Sequence, residues 1–216
     1  MGIPFISVIF NPRLHPHMKK YITDPSFLFL LAANAYCIWY YQFAEDGFAT
    51  VVWIYWFQSI IIGLFNFLDL LRVKHFEPGS LKMNDEPVTA ANKGCVPFFF
   101  ALHYGLFHFV YAIFLLVQFG VSAINGTYVL LGVAGFILEG IIAFIRRERM
   151  RQYFKVNLGA MLFLPYLRIV PMHLMILGPA FLGWKESTIF LVLKMIADIL
   201  TFVLYQYIFT RKRVQV

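Results

Sequence analysis

The sequence predicts an all-α fold: a polytopic membrane bundle of six transmembrane helices with both termini cytoplasmic. Three observations predict it. Residues of the AVILMFWYC set make up 61% of the 216-residue chain, charged residues only 13%, and mean hydropathy is +0.72. A soluble domain carries about 25% charged residues, and a chain this short cannot bury so much apolar surface in one core. Secondly, six apolar stretches each approach the roughly 20 residues that a helix needs to cross a hydrocarbon core. They are apolar on all sides, unlike the alternating ten-residue strands of a membrane barrel. Thirdly, basic residues collect on alternate connections.

The elements follow in order. Met1 to Lys20 is apolar but interrupted by Pro12 and Pro16. It lacks the basic n-region and small-residue cleavage site of a signal peptide, and it carries no lipidation motif. Residues 1–25 are therefore expected to form an interfacial N-terminal arm, residues 26–209 the six-helix domain and residues 210–216 a basic tail. The first span is Ser26 to Ala44, with a small-residue site at Ala32-Ala33-Asn34-Ala35 that suits close helix packing. The second is Phe48 to Leu71. A polar segment, 72–94, follows; its Glu77-Pro78-Gly79-Ser80 and Asp85-Glu86-Pro87 read as turns in a loop without a fold of its own. The third span is Cys95 to Gly120 and the fourth Thr127 to Ile145, followed by a basic loop, 146–155. The fifth, about Val156 to Leu182, holds Pro165, Pro171 and Pro179. Each removes an N–H and frees a carbonyl four residues earlier, so this span is expected to be broken. The sixth is Ser187 to Phe209.

Charge gives the orientation. Arg13, Lys19 and Lys20 precede the first span; Arg72, Lys74, Lys82 and Lys93 follow the second; Arg146, Arg147, Arg149, Arg151 and Lys155 follow the fourth; Arg211, Lys212 and Arg213 follow the sixth. Of the 18 basic residues only Arg168, Lys185 and Lys194 lie elsewhere. Positive residues favour the cytoplasmic side, which places the chain in a cell inner (cytoplasmic) membrane. Trp39, Trp53, Trp56 and Trp184 lie toward the opposite ends of their spans, where an aromatic belt belongs. The net charge of +7 is thus an orientation signal and not a nucleic-acid footprint. The densest run, Arg146, Arg147, Arg149, Arg151 and Lys155, is expected to draw anionic lipid at about 1 kcal/mol per charge. Cys37 and Cys95 have no CxxC or zinc spacing and read as packed thiols.

Ionisable groups inside a bilayer are costly and usually mark function. Asn34, Gln58, His108, Glu139, Arg168 and Asp198 fall near mid-depth; His103, His173 and Lys194 lie close to them. Lys194 and Asp198, four apart, share a helix face and can pair. Arg168 is best balanced by Glu139 or Asp198. His103 and His108 are five apart and cannot both face one centre, whereas His103 with Phe107, and Tyr104 with His108, share faces. One of these histidines with His173 and a carboxylate would offer an N/O set for a metal. No GxSxG, P-loop, GxGxxG, HExxH or EF-hand pattern occurs, so the sequence does not decide whether the chain is an enzyme.

Tyr55-Trp56-Phe57-Gln58 with Gly63-Leu64-Phe65-Asn66, and His103-Tyr104-Gly105-Leu106-Phe107, resemble the YWxE…GxxN and HYGxF patterns of an uncharacterised family of bacterial multi-pass membrane proteins, a domain of unknown function. The resemblance covers mainly the second and third spans. It implies a Glu where this chain has Gln58 and, often, a second His where it has Tyr111. It supplies no function.

The leading expectation is a membrane-embedded site for a small polar or anionic ligand or protons, linked to transport. Its candidates are Gln58, His103, His108, Glu139, Arg168, His173, Lys194 and Asp198, with Arg168 holding the anion and Glu139 or Asp198 a proton. One alternative is a metal- or haem-binding membrane enzyme or electron carrier using His103, His108 and His173. Another is a structural or assembly subunit of a larger membrane complex, or a homo-oligomer.

Overall fold

The computed structural model describes residues 24–45, 47–120, 124–182, 188–210 and 212–213, with the backbone alone at 175–182, 208–210 and 212–213. All but the last two residues of the expected interfacial arm, with Trp184, Lys185, Glu186 and most of the basic tail, lie outside the described residues. Within them the fold is six helices: α1 (Pro25–Phe43), α2 (Gly47–Arg72), α3 (Cys95–Gln118), α4 (Gly126–Met150), α5 (Leu158–Leu182) and α6 (Thr188–Thr210). Two short ladders join the connections: β1 (Lys82–Met83) with β2 (Glu86–Pro87), and β3 (Phe154–Lys155) with β4 (Lys212–Arg213).

Local chemistry sets the helix ends. Asp24 caps α1: its carboxylate accepts from the Ser26 N–H at 2.9 Å and the Ser26 hydroxyl at 2.6 Å, and Pro25 fits the first turn, where no N–H is needed. Asn157 caps α5 by accepting from the Ala160 N–H at 2.8 Å. Gly120, at φ 65°, ends α3 in a conformation that favours glycine.

Among the described residues, four helices are long and apolar enough to cross a membrane: α2, α3, α4 and the Thr188–Tyr207 stretch of α6. α5 contributes a shorter apolar stretch, Leu158–Leu174. α1 is more polar, carrying Ser26, Asn34 and a Trp-Tyr-rich end. Large apolar side chains point outward along the helices, as on Leu102 and Val117 of α3, a pattern that suits a lipid solvent.

α2 is the hub. It packs against α1, α3, α4 and α5, while α6 bridges α1 and α5. Two glycines allow α4 to lie close to α2. A Cβ on Gly132 would sit 2.9 Å from Ile54, and one on Gly140 would strike the Phe65 ring.

Three expectations change. α5 is one continuous helix across Pro165, Pro171 and Pro179, not a broken span. A proline deletes one hydrogen bond, and the bonds of neighbouring residues carry the helix past it. Segment 72–94 has structure of its own: Asn84 (φ 51°) and Asp85 (φ 62°) are both left-handed, as a two-residue type I′ turn requires, and close the β1–β2 hairpin. Val73 and Val88 are buried, and Phe76 bridges to Val156 in the next connection. Lys93 donates to the Val73 carbonyl, and burial, with Arg151 nearby, lowers its pKa from the ordinary value. Finally, α4 continues through Met150, so the basic run begins on its last turns.

The tryptophans and cysteines also differ from expectation. Trp39 is exposed, but Trp53 is buried and Trp56 donates to the His108 carbonyl at 3.1 Å. Both pack helices together. Cys37 is buried as a packed thiol, whereas Cys95 is exposed.

Candidate functional site

The polar residues inside the bundle separate into three groups. The first is a network centred on Asp198 of α6, which is fully buried. Its Oδ1 accepts from Lys194 Nζ at 2.7 Å and lies 3.7 Å from Arg168 Nε. Its Oδ2 accepts from Gln58 Nε2 at 2.8 Å and Asn34 Nδ2 at 3.1 Å. Lys194 also donates to Gln58 Oε1 at 2.7 Å and stands 4.9 Å from the centre of the Tyr55 ring. Side chains from α1, α2, α5 and α6 therefore meet at one carboxylate. An ion pair removed from water persists where hydrogen bonds satisfy both partners, and this one is so satisfied. The i,i+4 pairing of Lys194 with Asp198, and a cross-helix bond from Asn34, are both present.

The second group lines a cavity of about 40 Å³ bounded by α2, α4, α5 and α6. Arg168, Glu139, Asn66 and Tyr205 face it, with Arg146, Arg147 and Gln206 nearer the arginine-rich end. That volume holds about three water molecules. Glu139 is buried, yet no hydrogen bond or ion pair joins it to another described side chain. Arg168 is buried too, and its Nε has no hydrogen-bond partner. The buried Nδ2 of Asn66 is likewise unpartnered, while its Oδ1 accepts from the Tyr205 hydroxyl. From Glu139 to Arg146 is about 10 Å along α4. Arg146 and Arg147 remain 27% and 14% exposed, so the cavity's arginine end lies near solvent.

The histidines form no common centre. His108 is committed at both nitrogens: Nδ1 donates to the Tyr104 carbonyl at 2.8 Å, which leaves Nε2 to accept from the Ser59 hydroxyl at 2.7 Å. His173 Nδ1 donates to the Ile169 carbonyl at 2.9 Å, with the Tyr111 ring packed edge-on. His103 lies on the exposed side of α3, bonded to the Tyr166 hydroxyl at 2.7 Å and touching Phe107. Among the described residues no three His, Cys, Asp or Glu side chains are grouped to hold a metal ion. The expected set of His103, His108 and His173 is not assembled, because each ring is tied to its own neighbours.

The chain belongs to DUF6498, a family of unknown function. The match spans residues 17–211. No curated protein and no solved structure matches the chain. Within this DUF6498 protein, the residues that carried the family resemblance knit α2 to its neighbours. Gln58 bridges Lys194 and Asp198, Asn66 meets Tyr205, and a Cβ on Gly63 would sit 2.5 Å from the Tyr104 ring.

Asp69 was not among the residues singled out by sequence. It is fully buried, with Oδ2 accepting from Arg147 at 2.7 Å and Oδ1 from Arg151 at 2.5 Å. Arg151 also donates to the Asp69 carbonyl and pairs with Glu148. Arg146 pairs with Asp24 and bonds Ser26. Of the basic run read as a lipid contact, Arg147 and Arg151 are thus internal struts, and Arg149 is the exposed member. The signal for Asp69 was present: a carboxylate one turn from the end of an apolar helix, with arginines at the end of another.

Proposed function

We propose that this protein spans the cell inner (cytoplasmic) membrane six times, with both termini cytoplasmic, and holds a small polar or anionic ligand, or protons, in the cavity between Glu139 and Arg168. One observation carries the reading: Asp198 is saturated by partners, whereas Glu139 and Arg168 wall the same cavity without bonding each other. The Asp198 network is the frame. Arg168 is the anion-facing group, because it lines the cavity and its guanidinium is a fixed cation with several N–H donors. Glu139 is the group free to carry a proton. The arginine end concentrates anions near the mouth through its positive field, and Arg149 with Lys155 contacts anionic headgroups there.

Thermal unfolding of detergent-purified protein tests this. A ligand that binds only the folded state raises the unfolding temperature. Chloride, nitrate, formate and acetate are screened at constant ionic strength. At least one should stabilise the wild type, and Arg168→Gln should abolish the shift while remaining monodisperse. A flat panel for well-folded wild type across pH 5–8 would end the reading.

A further inference from the structure

Resting on that reading, we infer that the cavity takes a small monovalent inorganic anion together with one proton, and that Glu139 carries the proton. The argument is charge accounting within the bundle. Among the described residues, the charged side chains buried away from the arginine-rich end are Arg168, Lys194, Glu139 and Asp198, and His108 is held neutral by its two hydrogen bonds. Lys194 and Asp198 cancel, at 2.7 Å and with Gln58 bridging both. Arg168 also stands 3.7 Å from Asp198, whose single negative charge cannot offset two cations, so the neutrality of the set depends on Glu139. While Glu139 is ionised the interior is neutral, and an entering anion adds an uncompensated charge to a low-dielectric site. Once Glu139 is protonated, Arg168 is the surplus cation and an anion restores neutrality. A buried net charge is costly, so anion and proton enter as a pair.

The surroundings agree with that accounting. The charges acting on Glu139 are Arg168 from α5, Arg147 on its own helix, and Asp198 and Lys194 from α6. Tyr205 of α6 also faces the cavity, with its hydroxyl given to Asn66. From α2, Asn66 lines the wall, and Asp69 is spent on Arg147 and Arg151. From α1, Asp24 at the helix start is spent on Arg146. No second uncommitted carboxylate among these could replace Glu139.

Size selects the anion class. A cavity of about 40 Å³ accepts an ion of a few heavy atoms and excludes a nucleotide or a phospholipid headgroup. Arg168 and Asn66, which line the cavity, carry N–H donors of a kind that suits a compact acceptor such as a halide or nitrate.

The test uses purified full-length protein and anions of strong acids, chloride and nitrate, which bring no proton of their own. Binding is followed by calorimetry, and proton uptake by a pH indicator in weak buffer. At pH values above the Glu139 titration, wild type should take up one proton per anion bound and its affinity should fall about tenfold per pH unit. Glu139→Gln, which fixes a neutral side chain, should bind the anion with pH-independent affinity and no proton uptake. Wild-type binding without proton uptake would overturn the coupling and leave the site standing. Absence of anion binding by wild type and Glu139→Gln alike would remove the site itself. Should Glu139→Gln fail to fold, proton uptake by the wild type alone decides.

Discussion

At the scale of single residues the chain separates framing charges from free ones. Asp198 gathers Lys194, Gln58, Asn34 and Arg168, and removing its carboxylate would strand two cations in an apolar interior. Asp198→Ala should therefore cost about 3–5 kcal/mol, the usual penalty for breaking a buried pair. The double variant Lys194→Met with Asp198→Leu should cost clearly less than Asp198→Ala, because no lone charge remains on α6. Unfolding temperatures in one detergent check this, and equal losses for the single and double variants would contradict it. The pair itself was legible, since a four-residue spacing puts both groups on one helix face. Arg168 was legible only as a partner of either Glu139 or Asp198 and Asn34 only as a cross-helix bond, and Gln58 not at all, because the three come from other helices and share only their depth with Asp198. Asp69 escaped notice for a related reason. Close to Arg72 it reads as an ordinary interface charge, and the Arg147 and Arg151 that bury it lie far along the chain.

At the scale of elements, the hydrophobic pattern located all six helices, and the departures lie where one residue class was weighed alone. Three prolines suggested a break in α5, yet the helix is continuous. The hairpin in 72–94 has strands of only two residues, too short for any periodic signal, and only its turn was visible. Glycines on α2 and α4 serve contact between helices. The Gly140 position faces the Phe65 ring beside the cavity, so a side chain there must displace that ring or push α4 away from α2. Gly140→Leu should lose about 1–3 kcal/mol by overpacking. The larger effect should fall on anion binding, because Gly140 lines the same cavity as Glu139 and Arg168. Comparing unfolding temperature with nitrate affinity separates the two effects. An unchanged affinity in a destabilised variant would show that the cavity does not depend on this contact.

At the scale of the whole molecule, charge and connectivity give the same geometry independently. The start of α1 meets the end of α4 through Asp24 and Arg146. The segment after α2 bridges to the one before α5 at Phe76 and Val156, and the tail after α6 pairs with the segment after α4 through β3 and β4. All of these junctions, and the arginines among them, therefore gather at one end of the bundle. The aromatic residues give weaker support, since Trp53 is buried and Trp56 is bonded to α3. The bias of Lys and Arg, which resist translocation, supports the proposed assignment of this end to the cytoplasm. Reporters active only in the cytoplasm should thus be active when inserted at the Asn84–Asp85 turn or fused after Val216. They should be inactive when placed between Gly120 and Asn125. The same test bears on the cavity, whose arginine end would then face the cytoplasmic ion pool. Activity at the Gly120 site and none at the turn would invert the topology, and with it the side from which an anion and its proton reach Arg168 and Glu139.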